Sequence, residues 1–493
     1  MDKPVHRPIS WYVSKWTDDP LCLGAWSQLL VDGSPSDRSN LGKPVSPSFI
    51  IAGEACDPDM PGMVHGAYKS GLVAAESVLS GGIPENGLVV IIGAGASGIA
   101  AAKVIIERNK SNAKVLILEA RNRLGGRVNT ISVCGKGEED EVVFADAGAT
   151  WLHQYPVNML ADTATSLKLD LISSDFQNPL RASIDDDEYI DDDLVKYFAT
   201  LVTKEANSSQ SNKSLTHVID KVRSVYGTPI HQRSIDKSVV DVMSDSGITT
   251  DELSARYGLE PGVGNTDKFM KSGFSSLISH LADGLPIKYN TVVSSINWGG
   301  PDARTVELKT STGEVIIADR CISTVPLSLY KENSTLTIQP ELPELHRRSL
   351  DLMKLGICEK VILRFEDRWW PVNPGGILRW YGGIAGAGGA VTYGTTFVDW
   401  LDLTDGVGAP VVMGFLYGQE SYDLCYKDKT EEEVALVATR ALEDWALQVE
   451  KRWADSRPSA DLPPVPQEFA SSRTPPVPPM EYLTEVVISD SLE

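Results

Sequence analysis

The chain has few cysteines, and they are scattered. They form no Cys-x-x-Cys pair, so neither a zinc site nor a disulfide framework is predicted. The six cysteines are Cys22, Cys56, Cys134, Cys321, Cys358 and Cys425. We therefore expect no metal in the functional site.

Basic residues are also scarce, because 67 acidic side chains stand against 45 basic ones, for a formal charge of −22. This balance argues against nucleic acid as a partner and suits a small cationic substrate. No apolar run approaches the roughly 18 residues of a membrane span. Residues 1–10 lack an apolar leader segment, and the final DSLE is not a peroxisomal signal. The sequence predicts a cytoplasmic protein without a membrane span, and it carries no signal for an oligomeric state.

The chain does have length and regular patterning. Its 493 residues are too many for a single core, so at least two domains are expected. β-rich runs alternate with turns over 287–330, which predicts a small meander. Further strands are predicted at 358–366 and 410–418, and an amphipathic helix at 430–453. The acidic run 184–194 is interpreted as solvated turns and a helix start, not as a calcium loop.

A glycine-rich turn links a predicted strand, 88–92, to a predicted helix, 96–108. A second strand follows at 115–118, which completes a βαβ unit. The turn needs glycine for its tight bend, for close approach to a pyrophosphate and for helix packing; the three positions are Gly93, Gly95 and Gly98. The helix then presents free N–H groups to the phosphates, beginning at Ala96 and Ser97. Glu119, after the second strand, suits ribose hydroxyls. These residues predict a dinucleotide site and leave NAD and FAD both open.

Two further segments distinguish the cofactors. Residues 119–127 read EARNRLGGR, and residues 145–153 read ADAGATWLH. They resemble the E-A-x-x-R-x-G-G-R and D-x-G-x-x-W-x-H motifs of the flavin amine oxidase family. The resemblance implies FAD, with contacts from Ala120, Arg121, Gly125, Gly126, Arg127, Ala149, Thr150 and Trp151. It also implies a substrate role for His153, although the family usually carries glycine where this chain has Gln154.

Two strand motifs extend the resemblance. Residues 290–296, NTVVSSI, are similar to the family strand whose valine contacts the adenine end through its backbone, and Val293 matches it. Residues 356–370 are similar to the family's G-x-x-x-K-V-x-L-x-F-x-x-x-x-W, whose lysine holds a water against flavin N5. The resemblance gives this role to Lys360. The strand pattern alone would equally fit an exposed lysine.

The segment near the start of the chain resembles the one that closes other family members. Residues 49–55, FIIAGEA, are similar to the F-A-G-E strand, so Gly53 and Glu54 are expected at the pyrophosphate and ribityl chain. Residues 62–68, GMVHGAY, open a helix whose N–H groups are expected to face the flavin pyrimidine ring, with Val64 as the donor.

Residues 16–27 are similar to the W-x-x-D-P…G-x-Y-S stretch of the family. This match makes Trp26 one aromatic wall of an amine cage, which suits a cation or its neutral amine. The opposite wall aligns with Met63. Ala25 stands where monoamine oxidases carry the cysteine that binds FAD covalently, so non-covalent FAD is expected.

The order of these motifs predicts a circular permutation, in which the linker 80–87 joins the usual closing helix to the usual opening strand. The expected fold is α/β, with a Rossmann-like FAD-binding domain of the type found in flavin amine oxidases and an α+β substrate-binding domain. The FAD-binding domain is predicted at 38–157 and 262–325. The substrate-binding domain is predicted at 1–37, 158–261 and 326–455, followed by a Pro-rich tail at 456–493.

The resemblance implies FAD-dependent oxidation of a small amine, with O2 reduced to H2O2. The motif form is closer to polyamine oxidases and histone lysine demethylases than to monoamine oxidases. The demethylases carry a long helical insertion and a separate helical domain, and we expect neither in this sequence. An L-amino-acid oxidase is an alternative, and it would need Arg379 or Arg181 to bind a substrate carboxylate. A flavoprotein that binds without turnover is an alternative of another class.

Overall fold

The structure is a computed structural model. It describes residues 5–134, 142–184, 192–208, 212–243, 246–259, 266–331, 334–382 and 397–454. Residues 1–455 belong to one unit, and residues 456–493, the predicted tail, belong to a second unit outside the described residues. Most of the acidic run at 184–194 also lies outside them.

The strands are short and spread along the chain, as in a fold with several small sheets. In chain order they are Ser10–Val13 (β1), Ser27–Leu29 (β2), Pro44–Ser46 (β3), Phe49–Ile51 (β4), Leu88–Ile92 (β5), Lys114–Leu118 (β6), Thr130–Ser132 (β7), Phe144–Asp146 (β8), Trp151–Leu152 (β9), Leu171–Ser173 (β10), Leu180–Ser183 (β11), Lys268–Met270 (β12), Ile287–Lys288 (β13), Val293–Asn297 (β14), Val306–Thr310 (β15), Val315–Ala318 (β16), Arg320–Ser323 (β17), Thr337–Gln339 (β18), Met353–Leu355 (β19), Cys358–Arg364 (β20), Ile377–Tyr381 (β21), Asp399–Asp402 (β22) and Val411–Tyr417 (β23).

Helices separate many of these strands. They are Pro35–Leu41 (α1), Val64–Ser80 (α2), Ala96–Arg108 (α3), Ala161–Ser166 (α4), Asp192–Ser208 (α5), Leu215–Val225 (α6), Pro229–Met243 (α7), Phe274–Leu281 (α8), Glu344–Asp351 (α9), Thr404–Val407 (α10), Gln419–Cys425 (α11) and Glu431–Ala454 (α12). Two 3-10 turns, Glu54–Cys56 and Leu327–Tyr330, complete the set described. Among the described residues, no helix combines the length and the hydropathy needed to cross a membrane.

A six-stranded sheet in the order β13-β6-β5-β17-β4-β3 forms the dinucleotide fold. Its pairs are parallel except for the edge pair β3–β4. Strand β5 is an unbroken apolar run because both of its faces are covered. Val89 and Ile91 are buried in a cluster with residues of α2 and α3, and Val90 and Ile92 in a cluster with residues of β14 and β15. Strand β4, from the start of the chain, pairs with β17 from Phe49 opposite Cys321 to Ile51 opposite Ser323. The first eighty residues therefore supply part of the central sheet.

Helices α2 and α3 pack closely because small residues line their contact. A Cβ on Gly71 would lie 2.0 Å from the carbonyl oxygen of Ser97, a distance that only glycine permits. Small side chains, including Ala74, Ala75 and Ala101, are buried around this contact. The contact fixes α2, which precedes the glycine-rich turn in the chain, against α3, which follows it.

A second six-stranded sheet, in the order β1-β20-β23-β22-β21-β11, lies in the other half of the unit. Helix α12 contacts β1, β11, β20 and β21. Its Trp445 is buried in the same cluster as Trp400 of β22. On the other side, helices α5, α6 and α7 contribute the apolar residues of a separate core. The sheet holds β20 and β23 side by side, and these two strands carry the site residues described below.

The predicted elements are confirmed, with small changes at their ends. Strands were expected at 358–366 and 410–418, and they span Cys358–Arg364 and Val411–Tyr417. The predicted meander is the antiparallel set β14-β15-β16, after which β17 enters the central sheet. The predicted helix at 430–453 spans Glu431–Ala454. The bounds of the two domains stay a prediction.

Candidate FAD and amine site

The glycine-rich turn has the geometry of a phosphate-binding loop. Gly93 adopts φ +103°, a left-handed conformation that disfavours other residues, and its Cβ would lie 2.6 Å from Thr324 Oγ1. At Gly98 a Cβ would lie 2.0 Å from the carbonyl oxygen of Gly93, so the helix packs directly on the turn. Gly95 is the residue before α3, which begins at Ala96. The first N–H groups of α3 are therefore available to an anion.

An unpartnered hydroxyl at the same place fits a phosphate. Ser97 Oγ is buried and has no hydrogen-bond partner within the part of the chain that the structure describes. A buried hydroxyl without a partner costs about 1–3 kcal/mol, so a ligand oxygen is the natural acceptor. Gly53, which the resemblance also assigns to the pyrophosphate, adopts φ +139°, and a Cβ there would meet nothing within 4 Å. The turn thus offers donors to a pyrophosphate, and Gly53 leaves open space beside its own backbone.

Glu119 is buried and connects the turn to the next loop. Its Oε2 accepts the Ala94 N–H at 2.7 Å, and its Oε1 accepts the Arg121 N–H at 2.8 Å. Two charge-assisted bonds fix the carboxylate, while each oxygen keeps a second lone pair for a ribose hydroxyl. The Glu119 carbonyl accepts the Thr291 N–H at 2.8 Å, which brings the start of β14, and so Val293, next to this loop.

The segment 119–127 is tied to the start of the chain at both ends. Arg121 pairs with Asp19 at 2.7 Å, and Ala120 lies between it and Glu119. Gly125 and Gly126 take positive φ values of +96° and +59°, which glycine adopts more readily than any other residue. These contacts place the segment 119–127 against residues that precede it in the chain by about a hundred positions.

Arg127 and Glu54 form a mostly buried ion pair. The Arg127 Nη1 lies 3.0 Å from Glu54 Oε1 and also donates to the Ala25 carbonyl at 2.6 Å. Glu54 accepts from Ser27 Oγ at 2.6 Å and from the Gly62 N–H at 2.9 Å. Burial raises the pKa of Glu54, but the guanidinium charges of Arg127 and then Arg38 outweigh it and hold the pKa below its usual value. Glu54 thus organises the loops on which Ala25, Trp26 and Gly62 lie.

Two of the predicted cage residues lie close to each other in the structure. Helix α2 starts at Val64, with buried Met63 as its N-cap residue. A Cβ on Gly62 would lie 3.0 Å from Trp26 Cδ1, so the indole packs against the residue before Met63. Ala25 is buried, and it has no thiol with which to bind a flavin. Whether Trp26 and Met63 form opposite walls stays a prediction.

Lys360 is buried rather than exposed on its strand, with 6% of the residue accessible. Its Nζ donates to the Gly148 carbonyl at 2.5 Å, to Thr150 Oγ1 at 2.6 Å and to the Asp146 carbonyl at 3.2 Å. Burial lowers its pKa to about 8, and Cys358 and Asp146 oppose the shift. The ammonium therefore holds the loop 146–150, which contains Ala149 and Thr150 of the predicted FAD contacts.

Aromatic rings lie beside Lys360. Its Nζ is 5.7 Å from the ring centroid of Trp151 and 5.1 Å from that of Phe415, which faces Lys360 across the β20–β23 pair. The Trp151 and Phe415 rings are stacked at 5.7 Å, and Phe415 stacks on Tyr417 at 6.3 Å. Such a row suits an amine. The sequence predicted the strand of Phe415 and Tyr417 but not their place at the site.

His153 is oriented by a carboxylate that the sequence did not single out. Its Nδ1 lies 2.7 Å from Asp267 Oδ2, and Asp267 Oδ1 accepts the Gln154 N–H at 3.0 Å. Gln154 adopts φ +58°, which explains why relatives carry glycine there. Gln154 thus keeps a backbone conformation that suits the glycine of the family pattern. The substrate role of His153 stays a prediction.

The two arginines considered for a substrate carboxylate are already paired. Arg181 and Arg379 are buried, and both contact Asp241 at 2.8 Å. Arg379 also pairs with Asp399 at 2.6 Å, and Tyr381 donates to Asp241 at 2.5 Å. Arg379 is thus committed to two buried carboxylates and Arg181 to one, so both charges are already compensated within the fold.

These features are typical of a flavin-dependent oxidoreductase: a Rossmann-like sheet, a phosphate-binding turn, and a buried lysine beside a row of aromatic rings. The comparisons agree. The model of the flavin containing amine oxidoreductase family matches residues 3–79 and 233–479, and that of the NAD(P)-binding Rossmann-like domain matches residues 91–163. The chain belongs to the flavin containing amine oxidoreductase family, and its cofactor is FAD.

Curated relatives include a histone demethylase homolog and polyamine oxidases. Lysine-specific histone demethylase 1 homolog 2 of Arabidopsis thaliana is 29% identical over 303 residues, which are 58% of this chain and 39% of that protein. Polyamine oxidase 3 of Oryza sativa subsp. japonica is 28% identical over 384 residues, and polyamine oxidase 2 of Arabidopsis thaliana is 26% identical over 381. Both of these matches span 70% of each chain.

The conformation of Gln154 gives a testable prediction. Gln154→Val should lower the free energy of unfolding by about 1–3 kcal/mol, because a β-branched residue is strained at positive φ. Gln154→Gly should stay within about 1 kcal/mol of the parent, since relief of strain and the entropy of a freer unfolded chain nearly cancel. Urea unfolding measures both.

Gln177→Val is the matched control. Gln177 is an exposed loop glutamine whose N–H also donates to a carboxylate, Asp175 at 2.9 Å, and it is not among the residues with positive φ. It should change stability little. Equal losses from Gln154→Val and Gln177→Val would contradict the strain argument.

Proposed function

We propose that this protein oxidises a small amine on non-covalently bound FAD. The observation that carries the proposal is Lys360, buried between the loop 146–150 and the rings of Trp151 and Phe415. When bound, FAD would supply the two-electron oxidation: it would take up a hydride from the α-carbon of the amine and deliver the electrons to O2, which would be reduced to H2O2. The imine that is left is hydrolysed to a carbonyl compound and an amine or ammonia.

The chain's own residues bind and orient the cofactor. The N-terminus of α3 and Ser97 Oγ suit the pyrophosphate, and Glu119 suits the adenosine ribose. Arg127, Gly53 and Glu54 bring the start of the chain to the same place. The free N–H groups that open α2 at Val64 favour negative charge, which suits reduced flavin better than oxidised flavin.

The amine would lie among aromatic side chains that exclude water. Trp26, Trp151 and Phe415 offer ring faces, and Met63 adds an apolar surface. Rings of this kind attract an amine through the ring quadrupole and hold it without a hydrogen bond. The acidic surface charge favours the approach of a cation.

Lys360 would hold a water beside the reacting atoms. Its three N–H bonds are unequal, and the 3.2 Å bond to the Asp146 carbonyl is the longest. Exchanging that bond for one to a water would keep the short bonds to Gly148 and Thr150. Lys360 would then position both the loop beside the flavin and the water.

A polyamine-type or monoamine-type substrate is favoured over an amino acid. The relatives reported above include two polyamine oxidases. The L-amino-acid alternative needs a guanidinium for the carboxylate, and Arg181 and Arg379 are held by Asp241. Burying the Lys360 ammonium costs solvation free energy. A flavoprotein that binds without turnover would have no use for that lysine, so its burial favours an enzyme.

We also propose the circular permutation. Strand β4 and helix α2 occupy places in the central sheet and against α3, and the match at 3–79 precedes the Rossmann match at 91–163. The turn from α2 to β5 lies on the fold surface, where the Asn86 N–H donates to the Ser111 carbonyl at 2.9 Å. The permutation would also place the chain break between helix α12 and the segment before β1. These two parts are in contact, because the His6 N–H donates to Glu443 of α12 at 2.7 Å.

The predicted domain bounds agree with the two large sheets. Every strand of the dinucleotide sheet falls within 38–157 or 262–325, and every strand of the second sheet falls within 1–37, 158–261 or 326–455. The smaller sheet β10-β12-β9 joins strands from both sets. We therefore propose two discontinuous domains with a shared sheet between them.

The first prediction is that the purified protein is yellow and releases all its flavin on acid precipitation. It should form peroxide with monoamines or polyamines and not with L-amino acids.

Gly98→Ala should abolish flavin binding, because its Cβ would lie 2.0 Å from the Gly93 carbonyl oxygen, while Gly227→Ala, with open space around it, should not. Flavin that stays in the pellet, or peroxide from L-amino acids alone, would overturn this assignment.

The second prediction concerns Lys360. Lys360→Met should slow flavin reduction or its reoxidation at least about 100-fold, the scale of losing one positioned polar group, while FAD stays bound. Stopped-flow absorbance separates the two half-reactions. Lys309→Met, which changes an exposed strand lysine on β15, should leave both rates unchanged. Wild-type rates in Lys360→Met would show that its burial is structural only.

The third prediction concerns chain order. Moving residues 3–80 to follow Ala454 should give an active, FAD-loaded protein, because the contacts are kept and only the connections change. Deleting residues 1–80 should abolish FAD binding, since β4, α2 and Trp26 are lost together. A deletion variant that is soluble, yellow and active would contradict the proposed permutation.

A further inference from the structure

Helix α2 carries a buried histidine with one unused nitrogen. His65 lies in the first turn of α2, with 7% of the residue accessible. Its Nδ1 is 3.1 Å from Asn158 Nδ2. Its Nε2 has no hydrogen-bond partner in the residues that the structure covers. A buried polar atom without a partner is costly, so it needs an explanation.

The surroundings of Asn158 determine which nitrogen of His65 carries the proton. Asn158 Nδ2 also donates to the His153 carbonyl at 2.7 Å, and Asn158 Oδ1 accepts the Leu160 N–H at 2.9 Å. The amide orientation is therefore fixed, and the group that faces His65 is a donor. His65 Nδ1 must accept, which leaves the hydrogen on Nε2.

The imidazole is neutral in this place. Burial lowers the pKa of His65 to about 4, and the nearby charges of His153 and Lys69 lower it further against the attraction of Asp267. The result is a neutral ring with a buried N–H donor that has no acceptor. An N–H of this kind is complementary to a carbonyl oxygen or a ring nitrogen of a ligand.

The position of His65 indicates which ligand that is. Side chains of a helix lean toward its N-terminus, so the ring is directed to the end where Met63 and Val64 lie. On its other side, Asn158 donates to the carbonyl of His153, the last residue of the segment 145–153 that is assigned to the flavin. Both segments adjoin the region proposed for the isoalloxazine ring.

We propose that His65 Nε2–H donates a hydrogen bond to an acceptor on the flavin ring bound at the N-terminus of α2. This inference rests on the FAD placement proposed above. The donor adds to the N–H groups of the helix, and a hydrogen bond to a negatively charged acceptor is stronger than one to a neutral acceptor. It therefore favours reduced flavin. Asn158 acts as a positioning residue, because it fixes the tautomer.

The test is the midpoint potential of the flavin in the holoenzyme. His65→Leu should lower the preference for reduced over oxidised flavin about tenfold, which is about 30 mV in a two-electron couple. His65→Gln, which keeps a donor, should recover part of the shift. His346→Leu is the matched control, because His346 of α9 is equally buried, contacts the Lys43 carbonyl and has an unused Nδ1. It should leave the potential unchanged.

A second variant tests the tautomer. Asn158→Leu removes the donor that fixes the tautomer, so His65 Nδ1 no longer has to accept and the hydrogen is free to move from Nε2 to Nδ1 while the ring remains. The potential should fall toward that of His65→Leu, and this variant adds no charge at the site. An unchanged potential in His65→Leu, with FAD still bound, would show that a buried water satisfies Nε2 and would overturn the inference. A parent protein that purifies without flavin would instead contradict the proposed function.

Discussion

The ion pair between Arg127 and Glu54 joins the two parts of the chain that make the site. Arg127 comes after the glycine-rich turn in the chain, and Glu54 follows strand β4 near the start of the chain. Removing one partner of a buried pair costs about 3–5 kcal/mol, because the remaining charge is left without compensation. Glu54 also accepts from Ser27 and Gly62, so the same carboxylate fixes the loop of Trp26 and the approach to α2. The positions of Trp26 and of the loop that leads into α2 therefore depend on this contact.

Much of the fold could be predicted because the signals are local. The turn at Gly93, Gly95 and Gly98 lies between a strand and a helix, and each of its constraints is visible within a few residues. The long helix α12 is recognisable from its period. The FAD cofactor also followed from short motifs, and the family matches confirm it. The proposed permutation would not weaken such signals, because it would leave each motif intact.

Other parts of the site depend on contacts between distant positions, and no local pattern reports them. Asp267 looked like an ordinary loop acid, yet it orients His153 across more than a hundred residues of chain. Phe415 faces Lys360 only because β20 and β23 pair in that register. Arg181 and Arg379 looked available in the sequence, but the tertiary fold commits both to Asp241. Pairing of this kind is decided when strands and helices come together, which is why side-chain roles were harder to predict than elements.

The chain order matters less to the site than the contacts do. Three contacts join segments that lie on opposite sides of the predicted linker 80–87 in the sequence: the β4–β17 pairing, the α2–α3 contact and the Arg127–Glu54 pair. Changing the order alters which loops must close, and loop-closure entropy changes only slowly with loop length. The native contacts themselves are unaffected. Selection on a flavin site built from such contacts would then preserve Glu54, Arg127 and Gly71 in any chain order, because each is required by the geometry of its neighbours and not by its place in the sequence.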